Sequence, residues 1–372
     1  MQDATKYVGL DVSKEKISVA IADSGRDAPR FWGTINHTAE AVRKLMKQLG
    51  ETGSLQVCYE AGPTGFDLYH WLMKMGISCT VIAPSLIPKR QGDHIKTDRR
   101  DALRLAQLFR AGELTPIHVP SREQEALRDL VRAREDARDD LHRARQRMVH
   151  FLLRHHIHPP AVMKRRWTKM YRKWLETLKF TYTCEQLVHQ EYLQHLFECE
   201  QRLARIDQSL AEESSKGAHA NVIRALQSLR GIALVHAVSI ATEIGSFERF
   251  RSPMQLMAYL GLVPREFSSG LSSRKGKMTK AGNSLLRRIF VEAAWSYRHS
   301  PAIKGDLKKR LDGQAAMIQA ISWKAQTRLN KKFFRLVVNR GKHKNVAIGA
   351  TARELVGFVW AVARQAEGSH LA

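Results

Sequence analysis

Tyr7-Val8-Gly9-Leu10-Asp11 is an apolar run that ends on a carboxylate. Val12-Ser13-Lys14 follows, and then a second strand-like run, Ile17-Ser18-Val19-Ala20-Ile21-Ala22. A carboxylate at the tip of a buried strand is costly unless something compensates it. A divalent cation does so when other carboxylates converge on the same point, and Glu60, Asp98 and Asp101 are the candidates further along. The simpler alternative is that Asp11 caps a turn, as Asp often does.

Working outward, residues 6 to about 37 read as three strands, with the turn-forming residues 25–29 before the third, Arg30 to Ile35. Thr38 then caps a helix that carries Val42, Leu45, Met46 and Leu49 on one face, and Gly50 ends it. Leu55 to Tyr59 is a fourth strand that delivers Glu60. Gly62-Pro63-Thr64-Gly65 breaks the chain, a helix runs to Gly76, and Ile77 to Ile82 makes a fifth strand. Three strands in succession followed by alternating helix and strand predict a mixed sheet with helices packed on it.

Lys96-Thr97-Asp98-Arg99-Arg100-Asp101-Ala102 opens the next helix, whose apolar Leu105, Leu108 and Phe109 follow at helical spacing. Asp98 and Asp101 are three apart and so share a face. The competing reading is that both acids merely favour a helix N-terminus beside neutralising arginines.

No Gly or Pro interrupts residues 121–156, and Leu127, Leu130, Arg134, Ala137, Leu141, Ala144, Met148 and Phe151 form a heptad seam with one polar break. Pro159-Pro160 ends that helix. The stretch from Lys164 to Trp174 mixes cations with aromatics, which suits RNA or single strands as well as an amphipathic helix with aromatic core residues. Tyr192, Leu196, Cys199, Leu203, Ile206 and Leu210 form a second seam, so the middle of the chain is either an antiparallel arm or a dimerising coiled coil.

Beyond the linker Ser214 to Gly217, a helix, the turn Gly231-Ile232-Ala233 and another helix have the outline of a phosphate-binding hairpin. From Arg265 to Lys344 there are 20 Lys/Arg against four acids. Within it, residues 265–283 read as a mobile, basic, serine-rich loop, able either to grip a nucleic-acid backbone or to hold phosphate near a hydroxyl. Helices over 283–297, 315–329 and 355–362 provide core.

The 372 residues carry a formal net charge of +25, a pI near 10.2 and 44% apolar residues. That balance supports folded cores and predicts a polyanionic partner, nucleic acid first. No apolar stretch approaches the roughly 20 residues that span a bilayer, and the N-terminus lacks a signal-peptide pattern. Cys58, Cys79, Cys184 and Cys199 show no CxxC spacing and read as reduced thiols, without a zinc site.

One acid ends the first strand, one ends the fourth, and two open a helix after the fifth. A ribonuclease-H-like sheet gathers carboxylates around two metal ions in this way. The sequence here resembles the bacterial insertion-sequence transposases with a DEDD, RuvC-like domain, the "one-ten" family, nearly end to end. The resemblance rests on Gly9-Leu10-Asp11-Val12-Ser13-Lys14, Tyr59-Glu60-Ala61, residues 96–102, Ala258 to Pro264, Ser268-Ser269-Gly270 and Met278 to Asn283.

The resemblance implies an α/β plus α chain in three parts. These are a RuvC-like mixed sheet over 1–118, a helical coiled-coil region over 119–216 and a mostly helical transposase domain with a serine loop over 217–372. It implies Asp11, Glu60, Asp98 and Asp101 as ligands of magnesium or manganese and Ser269 as nucleophile. Arg274, Lys275, Lys277 and Lys280 would grip DNA or add charge at the transition state. It also implies donor and target DNA, a structured guide RNA encoded by the element, a dimer or tetramer with a composite site, and a cytoplasmic, nucleoid-associated protein without a membrane. Two other functions share parts of the pattern. A RuvC-like nuclease that hydrolyses without rejoining needs the acids but no serine; a non-catalytic nucleic-acid-binding protein needs neither.

Overall fold

The computed structural model describes residues 6–88, 97–269 and 272–368. The motif residues Lys96 and Gly270 lie outside them. The chain divides into two compact units, residues 1–119 and 120–372.

The first unit is built on a five-stranded sheet. Its strands are β1 (Lys6–Val12), β2 (Lys16–Asp23), β3 (Arg30–Asn36), β4 (Leu55–Glu60) and β5 (Ser78–Ile82), in the spatial order β3-β2-β1-β4-β5. The first three pair antiparallel, and β1–β4 and β4–β5 are parallel. Side chains alternate between faces. Val8, Leu10, Ile17, Val19, Ile21, Val57, Tyr59 and Val81 form one apolar layer with α1 (Ala39–Leu49) and α2 (Asp67–Lys74). Thr38 caps α1 as expected, accepting from Ala41 N at 3.2 Å. The opposite face is lined by small residues, Gly9, Ala20 and Ala22, and receives α3 (Asp98–Arg110) through Ala102 and Ala106. The chain then returns along the outer edge of β5, where Ile117 N donates to Val81 O at 2.8 Å.

In the second unit α4 (Arg122–Arg154) runs antiparallel to α6 (Thr183–Glu213), with α5 (Lys169–Glu176) between them. The seam residues Leu141 and Ala144 meet Leu196 and Cys199 within one chain, the arrangement of an antiparallel arm. Arg134 reaches Asp207 at 2.6 Å and Arg145 reaches Glu200 at 3.0 Å. Such partly exposed pairs are worth at most about 1 kcal/mol each, so the apolar seam carries most of the association. Near the arm's end, Met148, Phe151, Leu152, Tyr171 and Leu175 make a small core of their own. The aromatics of the Lys164–Trp174 stretch thus serve largely as core.

At the arm's base Val131 and Leu210 enter the main helical core. The remaining helices are α7 (Ala220–Leu226), α8 (Leu234–Ile244), α9 (Pro253–Tyr259), α10 (Ser284–Ala294), α11 (Asp306–Leu311), α12 (Ala316–Phe334) and α13 (Lys344–Gly368), and all but α11 contribute buried residues to that core. Two sequence expectations change here. Most of the stretch read as a mobile loop is paired strand: β6 (Pro264–Ser269) pairs antiparallel with β7 (Ser272–Met278). Sequence alone pointed to a loop because the stretch lacks apolar alternation; backbone pairing needs none. The helix α13 is long and apolar enough to cross a membrane by composition, against the expectation that no such stretch exists, but Ala352, Leu355, Val356, Val359 and Val362 are fully buried in the core. The four cysteines are free, and burial pushes the Cys79 thiol up to about 12.

Candidate active site

Parallel pairing of β1 with β4 runs from Lys6 opposite Leu55 to Leu10 opposite Tyr59. The next step of that ladder sets Asp11 beside Glu60, and paired residues of parallel strands point to one face. That face is the one under α3, because Gly9 and Cys58, two residues back on each strand, pack against it; Cys58 Sγ lies 3.8 Å from Leu105 O.

The direction of α3 brings its acids to the same end. Near its C-terminus Phe109 stands edge-on to Tyr7, 5.8 Å between ring centres, and Arg110 donates to the carbonyls of Asp23 (3.0 Å) and Asp27 (2.8 Å). Those groups belong to the start of β1, the end of β2 and the turn after it, so the first turn of α3 lies toward the Asp11 end of the sheet. Asp98 and Asp101 precede buried Ala102 and Leu105 by one turn and therefore flank the buried stripe. Thr97 is the N-cap, accepting from Arg100 N at 3.3 Å.

Asp11 and Asp101 are half-buried, Glu60 and Asp98 exposed. Among the described residues no three His, Cys, Asp or Glu side chains stand close enough to hold one metal ion. The topology brings the four acids to one end of one face without closing them into a ligand shell. A feature that sequence reading missed sits beside them. Asp11 pairs with Ser18 and Ser18 with Thr34, whose hydroxyls are 3.4 Å apart. A polar row, Glu60, Asp11, Ser18 and Thr34, thus crosses four strands at one level. The signal was available in β2, where Ser18, Ala20 and Ala22 alternate with large apolar residues.

Ser269 is exposed at the last described position of β6, opposite Ser272. It shares its face of the hairpin with Phe267 and, across the ladder, Arg274; Ser268 lies on the other with Glu266 and Lys275. The Ser268 hydroxyl is engaged, donating to Glu266 Oε1 at 3.1 Å. Arg274, Lys275 and Lys277 are exposed on β7. Lys280 holds a left-handed backbone (φ 57°) where the strand turns into α10, a conformation that costs a non-glycine residue about 1 kcal/mol.

The base of the hairpin is held firmly. Gly282 (φ 73°) has no room for a side chain, since a β-carbon would lie 2.1 Å from Tyr259 O. Arg287 Nη1 donates to Ala281 O at 2.5 Å and Gly282 O at 2.9 Å. Asn283 caps α10 through Leu286 N (3.1 Å) and donates to the buried Glu243 at 2.9 Å. Glu243 also accepts from Arg132 (3.3 Å) and lies 3.7 Å from Arg128, so the arm helix and the hairpin base share one carboxylate.

Both units have counterparts among known proteins. Residues 8–157 match a family described as "Transposase", and residues 223–307 match the family described as "Transposase IS116/IS110/IS902 family". The y4qE protein of Sinorhizobium fredii, which bears the name of a transposase, is 44% identical over 97% of this chain and 89% of its own length. The transposase for insertion sequence element IS1533 of Leptospira borgpetersenii is 34% identical over 90% of this chain and 98% of its own. A pilin gene-inverting protein of Moraxella bovis is 24% identical over 96% of each. Both halves speak for one class of enzyme, the DNA transposases. The chain belongs to the IS116/IS110/IS902 transposase family.

Proposed function

We propose that this transposase cuts and rejoins DNA with the Ser269 hydroxyl, at a centre where Asp11, Glu60, Asp98 and Asp101 hold magnesium, or manganese in its place. The observation that carries the reading is the register of Asp11 and Glu60 at the ends of adjacent parallel strands, with both acids of α3 brought to the same end of the same face. In this reading residues 1–118 form a RuvC-like domain, 119–216 the coiled-coil arm and 217–372 the transposase domain.

The donors suit the ion. They are carboxylate oxygens alone, the ligands that magnesium takes. Four carboxylates at one place repel, and a cation would offset that repulsion and draw them in. When bound, the ion would stabilise charge on the phosphate oxygens during displacement. The chain's own part follows. The Ser269 Oγ–P bond forms as a backbone P–O bond breaks; the serine loses its proton and the departing sugar oxygen gains one. Attack on the phosphoserine by a hydroxyl of another strand reverses the exchange and rejoins DNA without external energy. Arg274, Lys275, Lys277 and Lys280 hold the phosphates. In this reading the centre is composite, with the RuvC-like unit of one copy facing the serine hairpin of another in a dimer or tetramer, and a structured RNA from the element selects donor and target.

The test is to incubate the protein and its copurifying RNA with DNA carrying the element's ends, then search for a covalent protein–DNA adduct. Wild type and Asp98→Asn are compared with Ser269→Ala and Ser268→Ala. The adduct should vanish in Ser269→Ala, persist in Ser268→Ala and fall steeply in Asp98→Asn. Complete products from Ser269→Ala would favour a hydrolysing nuclease instead. Sequencing the copurified RNA tests the guide.

A further inference from the structure

We infer that the exposed face of α12 and the turn that follows it bind the phosphodiester backbone of a nucleic acid, at a site separate from the acids and the serine hairpin. Neither family match reaches this region, since the second ends at residue 307. Residues 324–344 hold eight Lys/Arg and no acid. Four of these, Lys324, Arg328, Lys331 and Arg335, follow at spacings of four, three and four and are all exposed, which makes one stripe on one helix face. At 1.5 Å per residue the stripe spans about 16 Å, enough to face several successive phosphates.

A basic stripe is ordinarily a solvated surface balanced by neighbouring acids. The arm shows that arrangement: Arg134, Arg145 and Arg202 each have a carboxylate within 3.0 Å. The stripe on α12 does not. Its one acid, Glu354 of α13, is taken up by Arg328 and by Lys332, the latter at 2.6 Å. Lys324, Lys331 and Arg335 have no acidic partner among the described residues. The three cations line an open groove of about 930 Å³, together with that ion-paired Glu354. At its end the helix widens into a π-turn over Arg335–Asn339, with Arg340 N donating to Arg335 O at 3.1 Å. Such turns recur at functional sites. Uncompensated cations repel one another, and a polyanion laid in the groove relieves that repulsion while releasing its own counterions.

The inference rests on the chain's working on nucleic acid but not on the metal or serine chemistry, so its test reads binding alone. Full-length protein is titrated with a labelled DNA duplex and with an RNA duplex of equal length across a salt series. K324Q/K331Q/R335Q is compared with wild type and with R43Q/K44Q/K47Q, which removes the same charge from the exposed side of α1. The α12 variant should bind one or both duplexes about tenfold more weakly near 0.1 M salt, with the salt slope reduced by about two to three. The duplex that is affected identifies the occupant. The α1 variant should stay near wild type. Equal losses in both variants, or none in the α12 variant, would overturn the site while leaving the proposed function standing. Failure of wild type to bind either duplex would overturn both.

Discussion

Gly9 leaves no space between β1 and Ala106 of α3: a β-carbon on Gly9 would lie 2.4 Å from the Ala106 amide nitrogen. It would also lie 2.6 Å from Ala102 O. Backbone atoms cannot swing aside as a side chain does, so this contact sets the height of α3 above the sheet. Asp11 is two residues from Gly9 on the same face, and Asp98 is one turn from Ala102. Gly9→Ala should cost about 1–3 kcal/mol in chemical denaturation. It should also lower DNA cleavage at temperatures where the protein stays folded. Full stability and activity in Gly9→Ala would show that α3 tolerates displacement.

A cation held by the four acids binds the folded chain and not the unfolded one, so it raises the melting temperature. Magnesium or manganese should raise that of wild type by a few degrees. The gain should vanish in Asp11→Asn/Glu60→Gln, and chelation should stop DNA cleavage. Equal gains in wild type and variant would place the cation elsewhere.

Asn283 joins the base of the serine hairpin to Glu243, and through it to Arg132 of the arm. Asn283→Ala removes both the α10 cap and a donor to a buried carboxylate, and should cost about 1–3 kcal/mol. If the anchor positions Ser269, adduct formation should fall well beyond what the unfolded fraction explains, while duplex binding is retained. A loss of adduct no larger than the unfolded fraction would reduce Asn283 to a stabilising residue.

His189 is buried in the arm against Phe151 and Phe180, and neither ring nitrogen has a partner among the described residues. Burial lowers its pKa from the ordinary 6.5. The unfolded chain therefore takes up the proton first, so stability is full above pH 6.5 and is lost as pH falls toward the depressed folded value. His155 of the same aromatic cluster lies 3.7 Å from Glu185. Fluorescence of the neighbouring Trp167 and Trp174 should report loosening of this end of the arm as pH falls below 6.5. His189→Phe should flatten that response; an unchanged profile would show that His189 does not govern it.

The five strands, the order in which helices interrupt them and both long seams were legible from residue patterns. Those depend on local rules: apolar residues at period two or near 3.6, with Thr38 as a cap. The hairpin was not legible. Its residues are polar on both faces, and what makes them strands is hydrogen bonding between backbones, which leaves no trace in side-chain alternation. The uncompensated charge on α12 was equally hidden, because a count of Lys and Arg does not tell which of them meet an acid.

By itself the sequence determined which acids terminate which elements, since a carboxylate after an apolar run can only stand at that run's end. The tertiary structure decided that these ends share one side. The parallel register of β1 with β4 and the close seat of Ala106 on Gly9 are contacts between segments far apart in the chain. Proximity of that kind is set by three-dimensional packing, which no local pattern of residues encodes.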